Sequence, residues 1–451
     1  MDREVSLLDI LDARERRALR QQALLREWAL PLVSFTMNVA GPVKNSPIIA
    51  RAFQEGLSRL EDALKTARME IKSREHVDRH TGCEALLVVA GDAAALKGLC
   101  VSLEDQDPLG RLFDIDVLRP EGEKLDRESL GFPARPCLIC GREGKACASR
   151  RLHPVEELQD KTQVILRAFF AQRDADRLAS QALRALLYEV CASPKPGLVD
   201  RFNSGSHSDM DLFTFMDSAA TLTPYLRKAA AIGMETAALT PRETFLRLRR
   251  EGLAAEREML AATSGVNTHK GAIFSLGTVC AAAGRLWSPE RPWAPAEEIL
   301  RESGLMYAQE ERQDLAAFRP DSPETAGQRL YLSQGLRGIR GELAEGLPSV
   351  REVGLPALQR ALEAGAGLEQ AGLAALLRLM ARVTDTNLLS RGGRSGSRWA
   401  AQAAAGLSAP IPKREELEAL DREMIARHLS PGGCADLLAI TYFLHFITQE
   451  Q

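Results

Sequence analysis

The chain has 451 residues, 45% of them hydrophobic and 26% charged, with a formal net charge of -3. That balance fits a globular chain of two or three domains and gives nucleic acid no electrostatic reason to bind, and the scattered Trp28, Trp287, Trp293 and Trp399 build no stacking platform for bases. No run of about 18 apolar residues exists to cross a membrane, the opening MDREVSLLDILDARERR is not a signal sequence, and eight cysteines are too sparse for a disulfide scaffold, so the expectation is a cytoplasmic protein with reduced thiols and no membrane or nucleic-acid partner.

In chain order, residues 7–28 and 47–60 carry helical amphipathic patterns, while 32–39, 85–90 and 112–118 read as strands, so the first part of the chain reads as α+β or α/β. NVAGPVK (38–44) ends a strand in a Gly-Pro turn and delivers Lys44, followed by Arg51 about two helical turns later, both suited to a phosphate chain. His76 and His80 are four residues apart among Arg74, Asp78 and Arg79, which reads as an exposed charged face. In GRLFDIDVL (110–118) strict alternation puts Phe113, Ile115 and Val117 on one face and Asp114 and Asp116 on the other. A D-x-D on a strand holds Mg2+ over a reacting phosphate in nucleotidyl transfer, although an isolated one is more often the solvated face of a half-buried strand. Cys137 and Cys140, with Cys147 and His153 after them, read either as a Cys3His zinc site or as reduced structural thiols.

Beyond residue 155 the chain turns Ala-, Leu-, Arg- and Glu-rich and reads as all-α, with one long helical pattern over 155–181. Thr240, Pro241 and Glu243 form an N-cap with a capping box, and Ser349 with Glu352 repeats that pattern. The Arg-rich stretch 245–257 reads as a solvated helix face with intrahelical ion pairs. Five polar corners punctuate this part. SPKPGLVDR (193–201) presents Lys195 from stiff backbone between two prolines and ends on Asp200. NSGSHSDMD (203–211) supplies His207, Asp209 and Asp211, of which an Asp could instead cap the helix starting at Leu212. GVNTHKG (265–271) places Asn267, Thr268, His269 and Lys270 before an apolar helix, an anion cradle at a helix N-terminus. TDTN (384–387) brings Asp385 and Asn387, with Arg391 and Arg394 in the Gly-rich turn after it, and SPGGCAD (430–436) brings Asp436. Each corner alone reads as a local cap; five in one helical domain read as the site of an anionic substrate.

These motifs carry two family resemblances. Residues 180–445 resemble the triphosphoribosyl-dephospho-CoA synthase family through PKPGLVD, the G-x-H-x-D-M stretch, GVNTHKG, DTN with its following Arg, and SPGG-x-AD. The resemblance implies an all-α enzyme that condenses ATP with 3'-dephospho-CoA and releases adenine. Lys195, Asp200, His207, Asn267, His269, Lys270, Asn387 and Arg391 would bind substrate, while Asp209, Asp211, Asp385 and Asp436 would serve as Mg2+ ligands or general base. Residues 5–165 resemble the holo-citrate lyase synthase family through G-P-x-K with its following Arg, GRLFDIDV, and RPCLIC with a later Cys and His. That implies a nucleotidyltransferase-like α+β domain transferring phosphoribosyl-dephospho-CoA to a serine of the citrate lyase acyl carrier subunit, with Asp114 and Asp116 on Mg2+ and Lys44 and Arg51 on the triphosphate. The expected organisation is therefore a transferase domain over 1–165 and an all-α synthase domain over 166–451. Two alternatives are a metal-dependent nucleotide glycohydrolase or phosphohydrolase, and a carrier-binding module fused to one active domain.

Overall fold

Residues 3–318, 325–407 and 409–449 are described by the structure, a computed structural model, and the chain divides into two units, Met1–Ala171 and Gln172–Gln451. In the first unit, α1 (Leu7–Trp28) starts at Ser6, whose hydroxyl accepts from the Asp9 N–H while the Asp9 carboxylate accepts from the Ser6 N–H. There follow β1 (Leu32–Met37), α2 (Pro47–Thr66), β2 (Glu70–Arg79), β3 (Gly82–Ala90), α3 (Ala93–Asp105), β4 (Phe113–Leu118) and α4 (Gly144–Ser149). The four strands form one antiparallel sheet in the order β2-β3-β1-β4. Its core packs on α2: Phe35 of β1 stacks on Phe53 at 4.7 Å and meets Phe113 of β4 edge-on at 5.4 Å. The helix comes this close because residue 56 is glycine; a Cβ there would lie 2.6 Å from the Phe35 ring.

β2 is absent from the expectation drawn from the sequence. EIKSREHVDR lies at the sheet edge with mostly exposed charged side chains, so it lacks the apolar alternation that marks a strand. Of the two histidines expected on an exposed charged face, His76 is exposed on this strand, while His80 just beyond it is half-buried, 3.8 Å from Asp9. β4 forms the other edge, and its outward backbone groups are taken by side chains and loop. The buried Glu104 accepts the Ile115 N–H at 3.0 Å, the buried Lys97 donates to the Ile115 carbonyl at 2.7 Å, Arg135 donates to the Phe113 carbonyl at 2.6 Å, and the Leu125 N–H donates to the Val117 carbonyl at 2.9 Å. A covered edge offers no template for another strand and fixes where β4 begins.

α5 (Val155–Cys191) runs across the division between the units, and the boundary drawn at residue 165 lies inside it. Among the described residues the regular elements of the second unit are all helical: α6 (Leu212–Glu235), α7 (Pro241–Ala262), α8 (Lys270–Arg285), α9 (Ala296–Ala316), α10 (Ala326–Gln334), α11 (Gly338–Ala344), a π-helical turn at Val350–Gly354, α12 (Leu355–Glu363), α13 (Leu368–Arg382), α14 (Thr386–Gly406), α15 (Arg414–Ala426) and α16 (Gly432–Thr448). α8 and α16 are apolar nearly all round and occupy the core, the position such helices must take. No helix among the described residues is long and apolar enough to cross a membrane.

Two sequence expectations give way here. Ser349 has helical backbone and caps nothing, because its hydroxyl and N–H both donate to Glu342, at 2.7 and 3.1 Å. The Arg-rich α7 buries Phe245 and Leu248, and its Arg242 and Arg249 reach across to Glu310 of α9, Arg249 also to Asp314, in place of intrahelical pairs.

α6 and α8 cross through glycines: a Cβ on Gly284 would lie 2.2 Å from the Ala230 carbonyl oxygen, and one on Gly233 would lie 2.0 Å from that of Ala281. Backbone cannot yield as a side-chain tip does, so Gly284→Ala is expected to lower the stability of this unit by about 1–3 kcal/mol in urea unfolding. Gly406→Ala, where a Cβ meets nothing within 4 Å, is expected to match wild type or exceed it by up to about 1 kcal/mol.

Candidate functional site

In the first unit, β4 alternates as expected. Phe113, Ile115 and Val117 are buried, Asp114 is exposed and Asp116 half-buried, opposite Thr36 and Ser34 of β1. Asp116 pairs with Lys124 at 2.7 Å, and Asp114 accepts from the Thr36 hydroxyl at 3.5 Å. Two neighbouring carboxylates on one face fit Mg2+, which binds through one or two carboxylates and fills its other positions with water and phosphate. Of the two cations expected at the triphosphate, Lys44 donates to the Val39 carbonyl at 2.6 Å and the Arg51 guanidinium lies 4.1 Å over the Phe170 ring. Burial, with Arg14 nearby, moves the Lys44 ammonium below its ordinary range.

Cys137, Cys140, Cys147 and His153 come together, one ligand atom from each lying within 4.8 Å of the others. The Cys140 thiol is pulled down to about 6 by the Arg142 backbone N–H and by His153.

In the second unit all five polar corners open on one cavity of about 1060 Å³. The first contributes Lys195, the second His207 and Asp209, the third Asn267 to Gly271, the fourth Asp385, Asn387 and Arg391, and the fifth Ser430, Gly432, Gly433 and Asp436. The N-termini of α8, α14 and α16 thus share a wall, and each such end favours anions.

Of the residues expected at the site, two lie off the cavity wall and a third lines it with its oxygens already engaged. Asp211 caps α6, exchanging hydrogen bonds with Thr214, and does not line the cavity. Asp200 also lies off the cavity wall; its oxygens accept the N–H groups of Lys195, Phe202 and Asn203 at 2.8, 2.6 and 3.1 Å, which shapes the turn behind Lys195. Asp385 does line the cavity at 1% exposure, but one oxygen accepts the Asn387 and Leu388 N–H groups of α14 at 2.7 and 3.1 Å, and the other accepts the Cys434 N–H of α16 at 2.9 Å. Saturated by backbone donors, it has little left for a metal. Arg394 reaches Gln334 at 3.2 Å, off the cavity wall.

The remaining groups form two clusters. At one, Arg391 donates to the Ser206 carbonyl at 3.0 Å and lies 3.2 Å from His207 Nδ1, whose Nε2 is 2.9 Å from the Ser430 hydroxyl; Asp209 stands exposed 3.8 Å from the same imidazole. Arg391 can only donate, so His207 Nδ1 is the acceptor and Nε2 carries the proton. Lys270 pairs with Glu256 on α7, and Asn267 Oδ1 accepts the Lys270 N–H at 3.4 Å. The second cluster is buried except at Asp436, which is half-buried. Lys195, 2% exposed, reaches Glu189 of α5 at 2.5 Å; burial raises the Glu189 carboxyl, and Lys195 counters it. Asp436 packs against Gly271, where a Cβ would lie 1.8 Å from its Oδ2, and burial, with Glu189 and Asp385 nearby, pushes its carboxyl well above the usual range. His269, 3% exposed, has Nδ1 at 2.7 Å from the Ser218 hydroxyl, which itself accepts the Thr268 hydroxyl at 2.7 Å. Ser218 therefore donates to Nδ1, the proton sits on Nε2, and that buried N–H has no hydrogen-bond partner. Burial, then Lys195, lowers the imidazole to about 3, so His269 is a neutral donor.

Glu189 and Ser218 escaped the sequence reading. Glu189 stands alone in the apolar run LLYEV, which is the one available sign of a buried acid; Ser218 carries no local signal.

A carboxyl whose folded pKa is raised holds its proton more tightly when folded, so its stabilising contribution is complete below a pH of about 3.9 and is lost as pH rises toward the folded value. Asp436→Asn removes that titration. The variant's unfolding free energy is expected to match wild type near pH 4 and to exceed it increasingly toward pH 8, by on the order of 1 kcal/mol or more; parallel curves would contradict the placement of Asp436.

Two family models match the chain: apo-citrate lyase phosphoribosyl-dephospho-CoA transferase (CitX) over residues 5–169 and ATP:dephospho-CoA triphosphoribosyl transferase (CitG) over residues 175–451. Protein CitXG of Haemophilus influenzae is 37% identical over 98% of this chain and 97% of its own length, and Protein CitXG of Leuconostoc mesenteroides is 34% identical over the same shares. The 2-(5''-triphosphoribosyl)-3'-dephosphocoenzyme-A synthase of Klebsiella pneumoniae is 43% identical, covering 60% of this chain and 90% of that protein. With both models side by side and full-length relatives built the same way, the chain belongs to the CitXG family of fused transferases that synthesise the citrate lyase prosthetic group and attach it.

Proposed function

We propose that the second unit makes the activated precursor and the first unit attaches it. In the second unit the 2'-hydroxyl oxygen of 3'-dephospho-CoA bonds to C1 of the ATP ribose. The bond from that carbon to adenine breaks, adenine leaves with the electron pair, and the hydroxyl proton is taken up by a carboxylate. In the first unit a serine hydroxyl of the citrate lyase acyl carrier subunit attacks the innermost phosphorus of the triphosphate, and pyrophosphate leaves. The supporting observation is the meeting of five separate motif corners, with three helix N-termini, around one cavity large enough for a nucleotide.

Within that cavity Asp436 is the carboxylate we assign to the attacking proton, because Asp385 is saturated and Asp211 lies elsewhere. A raised carboxyl is the stronger base near neutral pH. The neutral His269 presents a fixed N–H to a substrate acceptor, and Lys195, Lys270 and Arg391 supply positive charge to the triphosphate. Mg2+ would enter with the triphosphate, with the exposed Asp209 the acid left to meet it. In the first unit Asp114 and Asp116 would hold Mg2+, which neutralises charge on the phosphates. We place these reactions in the cytoplasm, where the thiols stay reduced.

Mass spectrometry of the carrier incubated with ATP and dephospho-CoA tests the reading. Asp116→Asn is expected to release adenine at the wild-type rate and accumulate the triphosphoribosyl product while modifying the carrier at least about a hundredfold more slowly. His269→Ala is expected to do the converse, losing adenine release but modifying carrier supplied with purified precursor. Adenine or phosphate released from ATP without dephospho-CoA would favour a hydrolase, and wild-type protein that binds carrier but leaves its serine unmodified would favour a binding module.

A further inference from the structure

The Cys137–His153 loop takes no part in the chemistry above, yet its four polar side chains point at one another. The Sγ atoms of Cys137, Cys140 and Cys147 and a ring nitrogen of His153 lie within 4.8 Å of one another, with Cys140 and Cys147 at 3.5 Å. In a tetrahedral site with metal–sulfur bonds of about 2.3 Å, sulfurs are about 3.8 Å apart. Backbone and second contacts are those of a ligand loop. Gly141, at φ +72°, turns the chain so that its N–H donates to the Cys137 carbonyl at 3.1 Å, the tight turn that brings two cysteines of a C-x2-C pair to one point. Cys147 is presented from α4. His153 Nδ1 lies 3.3 Å from the Glu157 carboxylate, which fixes the ring, and its Nε2 is buried with no hydrogen-bond partner. A histidine oriented by a carboxylate through one nitrogen and open at the other is the usual arrangement of a metal ligand.

We propose that Cys137, Cys140, Cys147 and His153 bind one structural Zn2+ ion, and that this ion holds Arg135 in its clamp on the first turn of β4. Four protein ligands leave no position for water or substrate, so the role is structural rather than catalytic. The connection to β4 runs through the loop's own backbone. The Gly144 N–H donates to the Arg135 carbonyl at 2.9 Å, and Arg111 donates to the Pro136 carbonyl. The Arg135 guanidinium, so placed, donates to the carbonyls of Arg111 at 2.7 Å and Phe113 at 2.6 Å, immediately before Asp114. Without a central ion the three thiols and the imidazole are tied only through weak contacts and the loop's backbone bonds, and the clamp loses its firmest anchor. This last step rests on the assignment of carrier attachment to the first unit; the ion itself does not.

The test uses the full chain, purified without chelator after growth with added zinc. Elemental analysis is expected to find one zinc per chain, Cys147→Ser and His153→Ala to lose it, and Glu157→Gln to retain it with affinity lower by about tenfold. Wild type reloaded with Co2+ is expected to show thiolate-to-cobalt charge transfer and tetrahedral d–d bands, a readout that needs no variant. Wild type without zinc, with all three thiols reacting as exposed cysteines do, overturns the site. Removing zinc from wild type with a mercurial, followed by excess thiol, is expected to lower carrier modification at least about tenfold while adenine release from ATP and dephospho-CoA is unchanged. Unchanged carrier modification after zinc loss overturns the clamp. Zinc-loaded protein that never modifies carrier counts against the transferase assignment and leaves the ion standing.

Discussion

The cavity of the second unit depends on one carboxylate that closes two helices. Asp385 accepts from the first turn of α14 with one oxygen and from the first turn of α16 with the other, so a single buried anion fixes two N-termini that are far apart in sequence. Removing an acceptor from such a pair would leave backbone N–H groups buried and unpaired, at about 1–3 kcal/mol each. The arrangement also sets the field of the cavity. Two of its three helix ends are already answered by Asp385, while α8 has no side-chain cap at His269 and faces Asp436 across Gly271. In the proposed reading that third end is where substrate charge is received.

Charge near the cavity floor is balanced within narrow margins. Glu189, Asp385 and Asp436 are each raised by burial, and Lys195 is the buried cation paired with Glu189. Glu189 and Asp385 both push the Asp436 carboxyl upward, so a cation or a proton among the three relieves their mutual repulsion. A Lys–Glu pair leaves Asp436 as the group whose protonation can change, which is why the same residue carries both an electrostatic strain and the assigned proton transfer. His269 solves the adjoining problem differently: burial beside Lys195 keeps it uncharged, and the Thr268–Ser218 relay decides which nitrogen bears the proton.

How far the sequence foretold this differs by residue. The five corners were legible because each needs Gly, Pro, Asn or Asp at a bend, and those residues mark bends wherever they occur. What the corners do was not. Asp211 and Asp385 have the same local look, an acid just before a helix, and both are caps; only the fold makes Asp385 also reach α16 and the cavity. Asp200 sits in the most distinctive motif and serves its own turn, whereas Glu189 sits in none and lies at the centre. In the first unit the alternation of β4 was plain, because apolar and acidic residues strictly alternate, while β2 hid behind its charge. The positions of Lys44 and Arg51 could not be read at all, since a cation's partner is a matter of tertiary packing.

The two acid sites are built on opposite terms, and the proposed chemistries account for the contrast. Asp114 and Asp116 stand on an edge strand, open to water, next to Lys124, and each has oxygens free of backbone donors, as a site must that receives a hydrated metal and a phosphate chain together. Their precision comes from behind the strand, where Glu104, Lys97 and Arg135 take up the backbone groups of Phe113 and Ile115 and leave β4 no freedom to slide. In the second unit Glu189 and Asp385 are sunk among helices, Glu189 held by Lys195 and Asp385 by backbone N–H donors, with the half-buried Asp436 nearby. A cationic ribosyl centre gains from a nearby carboxylate in proportion to how little water screens the pair, so burial strengthens the interaction that reaction uses. An exposed acid pair would be too weakly coupled for the second task, and a buried one could not admit a hydrated metal for the first, so a chain that performs both has reason to keep them in separate units.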